Sequence, residues 1–186
     1  DMDIVKSLYD KGKYGKDIEV ICNGFKTDDY LAKISDLINN GFQNIIPILD
    51  NYRELDKLTE SIDTTFNIGI RIASEEEPKF EFYTSRLGIG YKDIIPYYSQ
   101  KIAEHPNARL KMLHFFINTG IKDTAYYWNE LYKCLRVYAR LKKIAPEVDS
   151  LNIGGGFPIK TSLNFDYDYQ YMVNEIVSQI KKFCEE

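Results

Sequence analysis

The sequence predicts an α/β fold built on a parallel sheet, and three observations support this prediction. Short apolar runs alternate along the chain with amphipathic stretches of helical length, which is the pattern of repeated strand–helix units. The apolar runs are continuous rather than interleaved with polar residues, as is typical of strands covered on both faces. The stretches between them, roughly 10 to 20 residues, are long enough for the right-handed crossovers that join parallel strands.

One helix opens the chain, and five strand–helix units follow it. Thr27 is the expected N-cap of the second helix, because its hydroxyl can accept a hydrogen bond from a free N–H of the first turn. That helix carries apolar residues at helical spacing and stops at Asn40-Gly41. Pro47 lies within the second predicted strand, and since proline has no N–H to donate, an edge position or a bulge is expected there. The predicted strands are residues 17–22, 44–49, 66–72, 110–116 and 150–153. The predicted helices are residues 2–11, the stretch between Thr27 and Asn40, and residues 52–62, 94–104, 125–144 and 169–183, with loops at 75–78 and 83–90.

Composition limits the classes of function. Hydrophobic residues make up 44% of the 186 residues and charged residues 28%, which is normal for a globular chain. The formal net charge of −4 argues against general nucleic-acid binding, which needs a basic face. No window approaches the roughly 18 unbroken apolar residues of a membrane span. We therefore expect a small-molecule ligand and neither a nucleic acid nor a membrane as partner.

The cysteines and histidines favour a reduced compartment and no metal. Cys22, Cys134 and Cys184 are odd in number and far apart, so they predict neither a disulfide framework nor a zinc site. We expect reduced thiols that pack like small apolar residues in a cytoplasmic protein. The two histidines, His105 and His114, are too separated to supply a metal site by themselves.

Chemistry in parallel α/β folds is placed in the loops that follow the strands. Gly154, Gly155 and Gly156 come directly after the last predicted strand, where backbone N–H groups can approach an anion without interference from a Cβ. This predicts a phosphate site, with a flexible turn as the alternative; Thr119, after the preceding strand, would be a neighbouring contact. Arg71, at another strand end, could bind a ligand anion or pair with a nearby acid. No P-loop and no nucleophile-elbow motif is present in the sequence.

Several segments together resemble one enzyme family. Leu-Asn-Ile-Gly-Gly-Gly-Phe-Pro at 151–158 resembles the glycine motif of the ornithine/arginine/diaminopimelate decarboxylases, which are pyridoxal-phosphate enzymes with an alanine-racemase-type barrel. Residues 21–26 resemble the Cys-Asn-Gly-Tyr-Lys stretch of biosynthetic arginine decarboxylases, and 113–120 occupy the place of Leu-His-Phe-His-Leu-Gly-Ser-Gln. Residues 69–71 and 85–88 are similar to the family's Gly-Val-Arg and Ser-Lys-Phe-Gly. The order and spacing agree over essentially the whole chain.

The resemblance implies a set of cofactor-binding residues. Gly154, Gly155 and Gly156 would hold the phosphate of pyridoxal 5'-phosphate, with Thr119 at the family's serine position. Phe116 stands where the family has a histidine stacked on the pyridine ring; a phenyl ring can stack there but cannot hydrogen-bond. Asn118 replaces a glycine, and Arg86 keeps the positive charge of the family's lysine.

The family's catalytic groups do not match any residue of this sequence. These groups are the Schiff-base lysine on an early barrel strand, the glutamate that pairs with the ring nitrogen, and a proton-donating cysteine from a C-terminal β domain. The resemblance therefore implies that residues 1–186 are one incomplete cofactor-binding domain. It would be a partial (β/α)₈ barrel of the TIM type, holding the third to seventh strands, without the first strands and the C-terminal domain.

The implied activity belongs to the full-length enzyme. It is decarboxylation of a basic amino acid, with arginine giving agmatine for polyamine biosynthesis, and the 186-residue chain alone is expected to be inactive. Ornithine, lysine or diaminopimelate as substrate is one alternative. A catalytically dead regulatory homologue or a small anion-binding α/β module is another. The family implies a homodimer or higher homo-oligomer, and the open strand edges of a partial barrel also favour association.

Overall fold

A computed structural model describes residues 2–74, 87–117, 120–160 and 165–185. The strands are β1 (Val20–Cys22), β2 (Ile45–Leu49), β3 (Phe66–Ala73), β4 (Ile89–Gly90), β5 (Ala108–His114) and β6 (Ser150–Asn152). The helices are α1 (Met2–Asp10), α2 (Asp28–Asn39), α3 (Arg53–Thr59), α4 (Ile94–Tyr97) with a π-helical turn at Tyr98–Ile102, α5 (Ala125–Ile144) and α6 (Tyr169–Glu185).

The strands form one parallel sheet in the order β1-β2-β3-β5-β6, with β4 paired to β3 away from this path. Neighbouring strands in this order are joined through helices, as right-handed crossovers require. The predicted α/β class and the partial parallel barrel are confirmed. The structure also confirms Thr27 as an N-cap, because its side chain accepts a hydrogen bond from the N–H of Tyr30 at 3.3 Å.

Two local predictions are wrong. Residues 89–90, expected to be loop, form β4 beside Ile72 and Ala73. Pro47 lies on a strand between β1 and β3, not at an edge; it is the last residue of β2 paired with β1, and pairing with β3 begins at Ile48. The missing N–H therefore falls where pairing passes from one neighbour to the other. The helix expected over 94–104 is present, and it changes from α-helical to π-helical at Tyr98.

The outer face of the sheet packs against the helices and forms the main core. Ile68, Ile70 and Ile72 of β3 and Leu110 and Leu113 of β5 are fully buried there. Of the cysteines, Cys22 and Cys134 are buried as expected, whereas Cys184 is exposed near the end of α6, which corrects the expectation for that thiol.

The inner face of the sheet carries a second, smaller apolar cluster of Ile46, Ile48 and Met112, with Ile21 against it. Gly69 makes this close packing possible. A Cβ at Gly69 would collide with the Ile48 side chain and would lie 3.2 Å from the carbonyl oxygen of Met112. The side chain of Ile48 thus occupies the space that a side chain on β3 would need, and this apolar cluster forms the floor of the candidate site. Among the described residues, no helix has the length and apolarity to cross a membrane.

Candidate functional site

A layer of polar side chains lies directly above this apolar floor, at the carboxyl edge of the sheet, where the parallel strands end. Arg71, His114 and Asn152 lie on three neighbouring strands, and Asp50 directly follows the next strand, β2. Arg71 is in register with His114, and His114 with Asn152. Side chains alternate between the two faces of a strand, so Asp50 and Arg71, two residues after Ile48 and Gly69, share their inward face.

Lys26 joins this layer from the loop after β1. Its side chain is fully buried, and the ammonium donates hydrogen bonds to the carbonyl oxygens of Gly24, at 3.0 Å, and Ile48. It also lies 3.1 Å from Oε2 of Glu54 and 3.8 Å from Oδ2 of Asp50. A buried ammonium needs such partners, because desolvation of an unpaired charge is costly.

Asp50 connects this lysine to Arg71. Its Oδ1 lies 3.7 Å from Nη1 of Arg71, and its backbone N–H donates to Oε2 of Glu54 at 2.8 Å. We call Lys26, Asp50, Glu54 and Arg71 the ionic cluster. Burial raises the pKa of the Asp50 carboxyl, against the opposing effect of the Lys26 and Arg71 cations. Within the described parts of the chain, both carboxylate oxygens of Asp50, Oε1 of Glu54 and Nε of Arg71 are buried without a hydrogen-bond partner.

Phe116 lies on top of Arg71. The guanidinium carbon is 5.2 Å from the centroid of the Phe116 ring, a cation–π distance. The ring also lies against the glycine motif, since a Cβ at Gly154 would be 3.2 Å from Cδ2 of Phe116. The structure thus shows the ion pair with a neighbouring acid that was one of two interpretations of Arg71; its contact with a ligand anion stays a prediction.

The glycine motif after β6 combines a fixed backbone with an open centre. Gly154 and Gly156 have φ values of +73° and +96°, a region that favours glycine. Gly154 donates its N–H to Oδ1 of Asn152 at 2.8 Å, and Gly156 accepts from the N–H of Ile121 at 3.0 Å. Gly155, by contrast, is exposed, and no atom lies within 4 Å of the position its Cβ would take.

The loop after β5 approaches this motif so closely that it also needs a glycine. A Cβ at Gly120 would lie 2.5 Å from the carbonyl oxygen of Gly156. The backbone around Gly155 is therefore held by its neighbours on both sides while its own surface stays accessible. Such a segment suits an anion, because N–H groups can approach it without a side chain in between.

His114 is the titratable residue of the polar layer that carries no charge at neutral pH. Its side chain is buried, and Nδ1 has no hydrogen-bond partner among the described residues. Burial lowers the pKa of the imidazole, and the nearby cations of Arg71 and Lys26 lower it further, against hydrogen bonding to Asn152. The ring is therefore uncharged at neutral pH.

The structure brings five of the six predicted site residues to one edge of the sheet: Gly154, Gly155, Gly156, Phe116 and Arg71. Thr119, the sixth, lies outside the described residues, as do Asn118 and Arg86. Sequence reasoning missed Asp50 and Glu54, and it did not include Lys26 or His114 among the cofactor-binding residues. Asp50 lies two residues after Ile48, as Arg71 does after Gly69. This spacing could have indicated that both side chains lie on the inner face of the sheet. In the part of the chain that the structure describes, no group of three or more His, Cys, Asp or Glu side chains is placed to hold a metal.

Comparisons with known proteins identify one family. The family profile described as "Pyridoxal-dependent decarboxylase, pyridoxal binding domain" matches residues 12–186. Biosynthetic arginine decarboxylase 2 of Synechocystis sp. is 27% identical over 183 residues, covering 89% of this chain and 28% of that protein. Biosynthetic arginine decarboxylase of Citrifermentans bemidjiense is 22% identical, covering 92% of this chain and 29% of that protein. The chain thus spans less than a third of the length of these curated relatives.

Solved structures show the same fold. Lysine decarboxylase from Selenomonas ruminantium superposes with a TM-score of 0.71 at 20% identity, over 98% of this chain and 45% of that one. A mutant of SrLDC in complex with PLP gives a TM-score of 0.73 at 19% identity, over 98% and 44%. The match of the family profile to nearly the whole chain, on a fold shared with these structures, settles the assignment. This chain belongs to the pyridoxal-dependent decarboxylases and carries their pyridoxal binding domain.

Proposed function

We propose that these residues are the central part of a longer enzyme that decarboxylates arginine to agmatine with pyridoxal 5'-phosphate. The observation that carries the proposal is the match to biosynthetic arginine decarboxylases along about nine-tenths of the chain. Lysine, ornithine or diaminopimelate is the alternative substrate, since solved structures with this fold carry those names. A cytoplasmic homo-oligomer is part of the same proposal.

The residues present fit the cofactor. The backbone around Gly155 is open on its surface and fixed on both sides, which suits a phosphate. Because the N–H of Gly154 already binds Asn152, the N–H groups of Gly155 and Gly156 are the proposed phosphate donors. Phe116, half-buried beside the glycine motif, would cover one face of the pyridine ring. Thr119 and a direct anion contact by Arg71 remain part of the proposed site.

When bound, pyridoxal phosphate supplies an electron sink for the pair released as carbon dioxide leaves. The described residues contribute binding and orientation. Phe116 offers an apolar face that excludes water from one side of the ring. The neutral His114 and the ionic cluster place no unbalanced charge beneath it, since two cations face two carboxylates. The chain alone is expected to lack activity, because the resemblance places the Schiff-base lysine outside it.

Absorbance spectroscopy of the full-length protein tests the cofactor, and release of carbon dioxide from arginine, ornithine, lysine and diaminopimelate tests the substrate. A shifted band from a lysine–pyridoxal Schiff base is expected, with arginine as the fastest substrate. Absence of the band would refute cofactor use. A faster reaction with another amino acid would replace arginine with that substrate.

Substitutions at Gly155 test the phosphate position. Gly155→Asp should weaken pyridoxal phosphate binding by at least about tenfold, because two like charges within a few ångströms cost more than about 1 kcal/mol. Gly155→Asn is the matched control, since it has the same size without the charge. Equal dissociation constants for the two variants would contradict a phosphate at this position.

A further inference from the structure

We propose that Asp50 is a positioning residue for the cofactor ring, because it holds the Arg71 guanidinium against one face of Phe116. This inference rests on the proposed function, in which Phe116 covers the ring of pyridoxal phosphate. It concerns a residue that is neither a proposed phosphate donor nor Phe116, and whose ion-pair partners among the described residues are Lys26 and Arg71.

Phe116 needs such support because it lies beyond the end of its strand. β5 ends at His114, so Phe116 is not held by a ladder of hydrogen bonds. Its neighbour Phe115 is fully buried and packs beside Tyr127, with 6.1 Å between ring centroids. Phe116 is only half-buried, and it has Gly154 against its edge and the Arg71 guanidinium over its face. The guanidinium thus limits the tilt of the ring from below.

Arg71 in turn needs an anchor, because a long side chain can adopt many rotamers. Its side chain is 13% exposed, and its ion-pair partner among the described residues is Asp50, at 3.7 Å. The Nε atom of Arg71 has no hydrogen-bond partner in the same residues, so it offers no competing anchor. Loss of the Asp50 charge would therefore free the guanidinium to leave the ring.

Asp50 is itself fixed at two points. Its backbone N–H donates to Glu54, and its Oδ2 faces Lys26 at 3.8 Å. Lys26 is tied to the backbone through the carbonyl oxygens of Gly24 and Ile48. A continuous set of contacts therefore connects the backbone at the strand ends to the face of Phe116. Planar stacking of a guanidinium on a ring, unlike a lysine ammonium, depends on orientation as well as charge.

The test compares variants of the full-length protein loaded with pyridoxal phosphate. Asp50→Asn keeps the shape of the side chain and removes its charge. It should raise the dissociation constant of the cofactor by about 3- to 30-fold, the range that loss of one cation–π contact covers, and should change the circular dichroism band of the bound cofactor. Asp149→Asn, which removes the carboxylate 3.5 Å from Lys111 at the opposite end of the sheet, is the control and should change neither.

A double-mutant cycle shows whether Asp50 acts through Phe116. In a Phe116→Leu background, Asp50→Asn should alter cofactor affinity by less than about twofold, because the ring it supports is gone. An equal effect in both backgrounds would overturn the proposal, since Asp50 would then act directly or through general stability. If Asp50→Asn fails to fold, Arg71→Lys replaces it; an unchanged dichroism band in that variant would also overturn the proposal.

A measurement without cofactor separates this inference from the proposed function. Phe116→Trp in a Trp128→Phe background leaves residues 1–186 with one indole, placed on Arg71, and subtracting the emission of Trp128→Phe alone isolates its signal in the full-length protein. Adding Asp50→Asn should lower the fluorescence anisotropy of that indole, because the group beneath it becomes mobile. Unchanged anisotropy would overturn the positioning role whether or not the protein binds pyridoxal phosphate. Failure of the parent protein to bind the cofactor would instead overturn the proposed function.

Discussion

The two halves of the carboxyl edge are built in opposite ways. On the side of β1, β2 and β3, four charged side chains face one another, and three of them, Lys26, Asp50 and Glu54, are buried. On the side of β5 and β6, the edge has no described charged side chain in the inward layer: it carries His114, Asn152 and the glycine motif. The first half is closed by its own contacts, whereas the second leaves Gly155 open.

This difference separates stability from binding. In the charged half, each ion depends on its partners, because an unpaired buried charge costs several kcal/mol. In the glycine half, the fixed backbone presents N–H groups and little side-chain bulk. Substitutions in the charged half should therefore change the free energy of unfolding, in addition to the effect on cofactor binding proposed through Arg71 and Phe116, while those at the open glycine should change binding alone.

Lys26→Met should break the charged half and give the largest effect. It leaves Asp50 and Glu54 buried without their shared cation, so the free energy of unfolding should fall by about 3–5 kcal/mol. Urea unfolding monitored by circular dichroism measures this. Lys33→Met is the matched control, because Lys33 pairs with Asp3 and Asp29 on the surface and should matter little. If the two variants lose similar amounts of unfolding free energy, the buried ion pairs of Lys26 contribute no more to stability than the surface ion pairs of Lys33.

A pair of alanine substitutions sharpens the comparison within the glycine half. Gly154→Ala forces a Cβ onto a positive φ, 2.7 Å from the carbonyl oxygen of Phe115, and should cost about 1–3 kcal/mol. Gly155→Ala places the same methyl group in open space, and its cost should stay within about 0.5 kcal/mol. Urea unfolding of both variants checks this. Equal losses of unfolding free energy would contradict a backbone that is constrained at Gly154 and accessible at Gly155.

The architecture could be predicted from the sequence because continuous apolar runs and helical periodicity are local signals. The helix Ala125–Ile144 was predicted with the bounds that the structure shows. β4 was missed, since two residues give no periodicity and its pairing with β3 is a tertiary contact. The interior place of Pro47 could not be predicted either, because it depends on which neighbour pairs with each part of β2.

The candidate site was predictable where it depends on backbone and not where it depends on side-chain partners. Three consecutive glycines after a strand indicate an anion site directly in the sequence. The ionic cluster joins residues from three separate segments, and no spacing in the sequence reveals that Lys26 turns inward to meet Asp50 and Glu54. For Arg71 the sequence left two interpretations open, and the acid that pairs with it could be identified only in the folded chain.

His114, at the boundary between the two halves, should produce the smallest effect, a pH dependence of stability. Burial, with the Arg71 and Lys26 cations nearby, holds the pKa of His114 below its ordinary value of 6.5. As the pH falls through 6.5, the imidazole in the unfolded chain takes up a proton before the folded one does. The unfolded state then binds more protons, so the free energy of unfolding decreases as the pH falls through this window. The contribution of His114 to stability is fully present above the window.

His114→Gln removes this titration while keeping a polar side chain. The decrease in unfolding free energy between about pH 8 and about pH 5 should therefore be smaller in the variant than in the parent protein. The burial of Asp50 acts in the opposite direction, because its raised pKa makes the folded state bind a proton first, but this contribution is common to both proteins. Urea unfolding at several pH values gives the difference directly. Parallel curves for the two proteins would mean that the pKa of His114 is not lowered in the folded state, either by burial or by the nearby Arg71 and Lys26 cations.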